Sequence, residues 1–594
     1  MLTGLEAAWF GGGVIWAGAL ALFAALLWFT YAERGYAGGH FAEVPPARTW
    51  LVLLLVAIAL GAVLRLTGLD LKSISHPEVY IPGIALPLGI SEPPPRFGFI
   101  ETFIWHFREE PHPMGYYLGM WGWTKLFGAS AWAIRLPEAL MGIASIYVMY
   151  RLGRASYGVR AGVVAALLLA AHGFHLYWSQ IARMYVPGAL FGLVSTWLLI
   201  EMAKAKRPRR SLEIAWLLTV LGGASTVEFF WPLLAVQMLW TALNAPDLAG
   251  SRIFRVQLLG MLLVLPSLVH DFMLGGGGFA PVPTPGFLRD FFSFGFLFGD
   301  NSDFAPRLGG MAALALLALA LPLIVNGLRV PVNEPVDLPA QPLPARAPLW
   351  LAAAGACAVV AGIMLIAWQR QRAIAGLLVL PWLLLAVPPV TGWLRPWLGF
   401  ADGWRRKLRP LFGLVPLLAL VPALLLWAAS HLVPVTAPRA FLIFVPYLLI
   451  VVAAGVAVLP RWLGIGVAAL LALVFAVSIR LAHAEPVSPR DYKTLALTIN
   501  AKSQSGDLLF VPPLRWDYAP LFFYLNGPTP VAGDYALTLR RHPQARVWVP
   551  EVTESRIYQP PPELKTSLAG YRPVTTLTAE NFRATLYAPP AEEP

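Results

Sequence analysis

The sequence predicts a polytopic α-helical membrane protein of about 13–14 spans with a small α/β unit at its C-terminal end. Three observations predict it. First, apolar stretches of bilayer-crossing length fill residues 9–482, and 51–64, 161–170 and 464–477 carry no charge at all. Second, only 13% of the 594 residues are charged, about half of what a soluble domain carries. Third, basic residues gather in short loops: Arg151, Arg154 and Arg160; Lys204, Lys206, Arg207, Arg209 and Arg210; Arg405, Arg406, Lys407 and Arg409. Cationic short loops mark the cytoplasmic side of a membrane protein. The same clustering accounts for the net charge of +12 and argues against a nucleic-acid partner, which would need a basic face on a soluble surface.

With the basic loops inside, spans fall near 9–30, 49–66, 131–150, 160–177, 185–203, 212–228, 229–243, 255–272, 308–327, 348–368, 373–392, 411–430, 440–458 and 462–482. The pair at 212–243 also reads as one bent or re-entrant element. The first run lacks a basic n-region and a small-residue cleavage site, so it reads as a retained helix. An even number of spans puts both ends of the chain outside, on the periplasmic face of a bacterial inner membrane. Arg370 and Arg372 then fall outside, against the usual bias.

Four regions face outward: the loop 67–131, the turn 178–184, the Gly- and Phe-rich loop 271–306 and the tail from 485. Within the first loop, 114–127 is too short to span comfortably and holds Tyr116, Tyr117, Trp121 and Trp123. Such aromatics suit the headgroup layer, so the segment reads as a helix lying on the membrane surface. A short buried span there would reverse all later topology. The tail has a helical pattern at 491–503 and β-type runs at 508–511 and 546–549. Three units result: 1–48, an extra helix and linker; 49–484, the membrane body; and 485–594, an α/β domain on the outer face. The Pro-rich stretch 331–348 is a linker. The single cysteine, Cys357, excludes a disulfide framework.

The first loop is dense in ionisable groups, among them Asp70, His76, Glu78, Glu101, His106 and His112. A carboxylate at a membrane face can act as a general base on a hydroxyl, and arginines beside it can hold a phosphate. The bland reading is a solvated loop kept out of lipid by its charge. His76, His106 and His112 could ligate a divalent metal, but no compact motif such as HExxH supports one, so no metal ligand is assigned and no cofactor is certain. Ser179-Gln180-Ile181-Ala182-Arg183-Met184-Tyr185 joins two spans, with Arg183 placed either to snorkel or to capture phosphate. Arg439 opens a span in the same way. Glu228, inside an apolar stretch, is a costly placement and therefore a functional candidate.

The order of these features resembles that of a known family. An acidic first loop is followed by His112-Pro113 with Tyr116-Tyr117, then Arg135-Leu136-Pro137, then Ser179-Gln180 with Ala182-Arg183 and Tyr185, and a late span opened by Arg439. Over most of 49–594 the chain looks like the GT-C membrane glycosyltransferases, in the branch of protein O-mannosyltransferases and aminoarabinose transferases of lipid A. The resemblance implies transfer of a sugar from a polyprenyl-phosphate carrier to a lipid, glycan or protein acceptor on the outer face, with a partner protein left open. It also implies an Asp-Glu pair in the first loop that includes the base. Glu78 matches that glutamate, but Pro77 stands where the aspartate is expected. Glu78 is then the base with Asp70 in reserve, or the acceptor differs, or the chain is not catalytic. Arg183 and Arg439 are expected at the donor phosphate, and His76, His112, Gln180, Tyr185 and Glu228 in the substrate pocket. A non-catalytic scaffold subunit and a lipid or solute transporter are the alternatives, though a transporter would favour inverted repeats. The surface helix 114–127 and the loop 287–298, with Phe291, Phe292 and Phe294, are the segments suited to line a sideways opening for the carrier.

Overall fold

The computed structural model describes residues 47–82, 84, 98–108, 112–205, 207–245, 251–274, 282–284, 286–296, 320–321, 323–330, 332, 413–431, 435, 437–484, 491–511, 518–531, 533–553, 562–579 and 581–590. The spans expected at 9–30, 348–368 and 373–392, most of that at 308–327, the linker 331–348, Arg370, Arg372 and the glycines 275–278 lie outside these residues. The described part has a polytopic helical membrane fold. Three of its helices are long and apolar enough to cross a bilayer: Arg48–Leu66 (α1), Tyr185–Lys204 (α7) and Trp462–Ala484, which is most of α14 (Arg461–Ala484). Within their most apolar windows α7 is 72% buried, against 22% for α1 and 28% for α14. Helix α7 is therefore central, and the other two turn their apolar faces outward.

Between α1 and α7 lie α2 (Phe99–Arg108), α3 (Met114–Phe127), α4 (Ala131–Tyr157), α5 (Val159–Ala170) and the short α6 (Gly173–Trp178). Ser130 caps α4 by accepting the Ala133 N–H at 3.2 Å. Gly158, at φ +91°, makes the tight link from α4 to α5. The two helices then pack backbone to backbone, because a Cβ on Gly162 would stand only 2.7 Å from the Tyr150 carbonyl oxygen. After α7 come α8 (Arg210–Ala224), α9 (Phe230–Asn244), α10 (Arg252–Leu274), α11 (Gly286–Asp290), α12 (Leu414–Ala429) and α13 (Val445–Ala457). The pair expected at 212–243 is two separate helices, α8 and α9, and Glu228 sits in the turn between them. A buried polar chain ties three helices together. Gln237 on α9 donates to Ser195 and Thr196 on α7 at 2.9 and 3.0 Å, and Thr196 meets the Tyr447 hydroxyl of α13 at 2.9 Å.

The continuous span expected at 160–177 is broken instead after Ala170, and a distant residue is the reason. Arg65, fully buried near the end of α1, donates to the carbonyls of Leu169 (2.9 Å) and Ala170 (3.1 Å). Neither carbonyl has an i+4 helical donor once α5 stops, although Leu169 also takes the His172 N–H at 3.3 Å. The guanidinium supplies one, and its charge suits a helix C-terminus. His172 then starts α6, its Nδ1 accepting the His175 N–H at 3.2 Å.

In the tail, α15 (Tyr492–Lys502), β1 (Leu508–Phe510), α16 (Ala519–Tyr524), β2 (Thr529–Val531), α17 (Tyr535–Arg541), β3 (Val547–Val552), α18 (Pro562–Ser567), β4 (Arg572–Ala579) and β5 (Phe582–Ala588) follow in order. They build a five-stranded sheet ordered β2-β1-β3-β5-β4, in which β1 runs parallel to β2 and β3 while β5 runs antiparallel to β3 and β4. Alternation along β1 and β3 sorts the side chains to two faces. Leu508, Phe510, Val547 and Val549 pack with Tyr535, Leu539 and Leu564. Leu509, Trp548 and Val552 join Tyr492, Leu495 and Phe522 in an apolar core continuous with that of the membrane helices. The sheet is thus seated on the body through its α15 and α16 face.

Candidate functional site

The first loop is held by one ion pair. Glu78 closes a single 3-10 turn, His76–Glu78, in which Pro77 occupies the opening positions where a missing N–H costs nothing. Position 77 is exposed and Glu78 is completely buried. Arg135, 1% exposed on α4, reaches Glu78 bidentately, Nε to Oε1 at 2.7 Å and Nη2 to Oε2 at 2.9 Å. Its other donors go to the carbonyls of Leu69 (2.8 Å), Lys72 (3.0 Å) and Ser73 (3.1 Å). All five guanidinium N–H groups are then used. The carboxylate also accepts the Ser75 N–H and hydroxyl on Oε2, at 2.8 and 3.0 Å, and the Ala182 N–H on Oε1 at 3.0 Å. Burial alone would raise the Glu78 pKa, but Arg135 and the Ala182 and Ser75 amides bring it below the ordinary glutamate value.

A second cluster lies one residue beyond Ala182. Arg183 Nη1 donates to the Tyr117 hydroxyl and Nη2 lies against His112 Nε2, each at 3.3 Å. A guanidinium can only donate, so Nε2 is the acceptor and the imidazole hydrogen sits on Nδ1. That Nδ1 is 3.4 Å from Glu228 Oε1, and both side chains remain about one-fifth exposed. Glu228 Oε2 has no hydrogen-bond partner among the described residues. Tyr185 accepts from Arg183 and lies in the electrostatic reach of Arg439 and Glu228. Arg439 stands on a 3-10 turn, Pro438–Phe441, whose Phe441 ring packs against Phe291 at 4.9 Å between centroids. His106 stacks on Tyr117 at 3.9 Å. The Phe294 side chain lies outside the described residues.

The expected site residues therefore separate into groups. His112, Arg183, Tyr185 and Glu228 come together, and Arg439 lies within electrostatic reach of Tyr185. Glu78 belongs to the buried knot beside them. Gln180, expected in the substrate pocket, donates instead to the carbonyls of Leu64, Arg65 and Thr67 at 3.1, 3.3 and 2.9 Å, closing the end of α1. His76 pairs with the Tyr80 hydroxyl at 3.2 Å. Asp70 is exposed, and its backbone carbonyl accepts from Lys493 of the tail. Among the described residues, no group of three or more His, Cys, Asp or Glu side chains is placed to hold a metal ion. Two polar groups were not foreseen as site members. The Tyr116 hydroxyl donates to Glu138 Oε1 at 2.6 Å, and Arg65 caps α5. A charge inside an otherwise apolar helix was the signal that could have flagged Arg65 and Glu138.

Residues 110–270 match the family model described as dolichyl-phosphate-mannose-protein mannosyltransferase. His112, Tyr117, Arg183, Tyr185 and Glu228 all fall inside that stretch. YycA of Bacillus subtilis (strain 168), whose name carries a provisional mannosyltransferase assignment, is 29% identical over 142 residues, 23% of this chain and 19% of its own length. YkcB of the same organism, named in the same way, is 28% identical over 93 residues, covering 16% and 12%. The chain thus spans less than a fifth of the length of either relative. ArnT from Cupriavidus metallidurans, solved in the apo state, aligns over 91% of this chain and 98% of its own at 16% identity, with a TM-score of 0.41. The oligosaccharyltransferase AglB from Archaeoglobus fulgidus, solved with an inhibitory peptide and a dolichol-phosphate, aligns over 92% and 75% at 12% identity, with a TM-score of 0.42. Over residues 110–270, about a quarter of its length, the chain is thus similar to the dolichyl-phosphate-mannose-protein mannosyltransferase family.

Proposed function

We propose that this protein moves a sugar from a polyprenyl-phosphate carrier to a lipid, glycan or protein acceptor on the periplasmic face of a bacterial inner membrane. The body would have about 13–14 spans, with the C-terminal unit on the same outer face. Arg183 and Arg439 grip the donor phosphate through charge-assisted hydrogen bonds. His112, Tyr117 and Tyr185 fix the two arginines and shape the sugar pocket. Glu228 Oε2 takes the proton of the acceptor hydroxyl as its oxygen attacks the anomeric carbon. The bond from that carbon to the phosphate oxygen breaks, and the carrier phosphate leaves against the guanidinium groups with inversion at carbon. Phe291, packed beside the Arg439 turn, offers an apolar wall to the isoprenoid chain.

One observation carries this reading: a carboxylate with an unengaged oxygen stands beside an arginine–histidine pair, inside the stretch that matches the mannosyltransferase model. Glu78, the first choice of base from its position in the loop, has both oxygens engaged by five donors and no exposed surface. Its role here is to position the loop and, through the Ala182 amide, Arg183. The test is transfer from labelled polyprenyl-phosphate mannose in native membranes. Wild-type protein should release the carrier phosphate, and Glu228→Gln should not.

A second reading, a non-catalytic scaffold, draws on Pro77, which leaves the exposed position of the loop without a carboxylate. Donor binding without release in every membrane tested would favour it.

A further inference from the structure

We propose that a cleft between the first loop and the C-terminal unit is a carbohydrate-binding subsite for the acceptor; this rests on the transferase reading above. The cleft has a volume of about 420 Å³, within the span of small-ligand sites. Its polar wall is Asp70 and Ser130 from the body with Lys493 and Tyr524 from the tail, and Phe523 adds an aromatic surface. The remainder, Ile84, Ala129 and Ala131, is apolar.

The hydrogen-bonding capacity of this wall is only partly used. Lys493 gives one donor to the Asp70 carbonyl, and an ammonium has three. The Tyr524 hydroxyl accepts the Ile74 N–H at 2.8 Å, which leaves its own proton to donate. Ser130 Oγ accepts the Ala133 N–H and is exposed. The Asp70 carboxylate is exposed and takes no hydrogen bond among the described residues. A ligand that suits this wall must give protons to a carboxylate and take them from an ammonium and two hydroxyls. A row of sugar hydroxyls does both at once, since each is donor and acceptor, and the C–H face of a pyranose can lie on Phe523. A peptide acceptor fits less well, because among the described residues no strand edge lines the cleft to pair with its backbone.

The cleft also communicates with the cation cluster. Residues 69–73 are clamped by Arg135 from within and touched by Lys493 from outside, through its side chain on Asp70 and its N–H on Ser73 Oγ at 3.2 Å. The same loop ends at Glu78, which holds Ala182 next to Arg183. A glycan seated against the tail would therefore rest on the segment that positions the donor arginine.

The experiment is binding of the full-length protein, in detergent, to a printed array of bacterial and mannose-containing oligosaccharides. Wild type should retain at least one glycan. Asp70→Asn, a change at an exposed site, and Phe523→Ala should each weaken it about ten-fold or more, while Phe523→Trp should bind as wild type does. No glycan retained above the detergent control, or equal binding by Asp70→Asn and Phe523→Ala, would overturn the subsite. Retention of a Ser/Thr-rich peptide in place of every glycan would also overturn it and assign the cleft to a protein acceptor. Glycan binding through Asp70 and Phe523 without any donor turnover would sink the transferase reading alone.

Discussion

Glu78 and Glu228 both lie in turns beside an arginine, yet their surroundings differ in one decisive respect. Glu78 is fully buried and receives five hydrogen bonds, two of them from a guanidinium whose own donors are all in use. Glu228 keeps about a fifth of its side chain exposed, lies 3.4 Å from His112 and leaves Oε2, itself buried, without a hydrogen-bond partner among the described residues. A buried charge is tolerable only when its partners are complete, and such a pair fixes geometry at little net gain in stability. A carboxylate with spare capacity can take a proton or a substrate hydroxyl. The comparison supports the proposal that the first holds the loop and the second serves the chemistry.

The largest effects should separate the two along that line. Replacing Glu228 by Gln should lower transfer by about a hundred-fold or more, as expected for loss of a general base, with thermal melting in detergent unchanged. Arg183→Ala should reduce transfer by a similar factor, because one charge-stabilising group at the leaving phosphate is lost. If either variant melts well below wild type, the second cluster is structural and the contrast fails. Glu78→Ala should instead strand Arg135 as a buried, unpaired cation and cost about 3–5 kcal/mol, read as a sharp drop in melting temperature and in membrane yield.

Smaller effects sharpen the same contrast. Gln180→Ala leaves three carbonyls at the end of α1 without their donor, a loss of about 1–3 kcal/mol that melting should detect. The pH dependence follows from Glu78. Its folded-state pKa lies below the unfolded one, so its stabilisation is present above the ordinary glutamate value of about 4.3 and is lost as pH falls through the folded value. Melting temperature of wild type should therefore drop on the acid side of that value, and Glu78→Gln should show a flatter acid limb. An identical acid limb in both proteins would mean the ion pair does not govern the loop.

Much of this was legible from local pattern. Charge-free runs locate α1, α7 and α14 because a bilayer asks only for length and apolarity. Short β-type apolar runs mark β1 and β3. The motif spacing around 112, 183 and 185 brought forward residues that do meet in space. The misreadings share a cause, since each depends on a partner far along the chain. Arg65 ends α5 from 104 residues away, Arg135 engages Glu78 across 57, and Gln180 closes α1 across more than 110. No window of sequence reveals that Glu78 is fully engaged or that Glu228 is not.

The central claim is that an arginine-held lipid phosphate leaves as Glu228 takes the acceptor's proton. It is tested most directly by release of polyprenyl phosphate from labelled polyprenyl-phosphate mannose, using purified protein reconstituted with acceptor-bearing membranes. The account predicts release by wild type and its loss, by about a hundred-fold or more, in Glu228→Gln protein that melts normally. Wild-type rates from Glu228→Gln, or no release by wild type in any membrane, would contradict it.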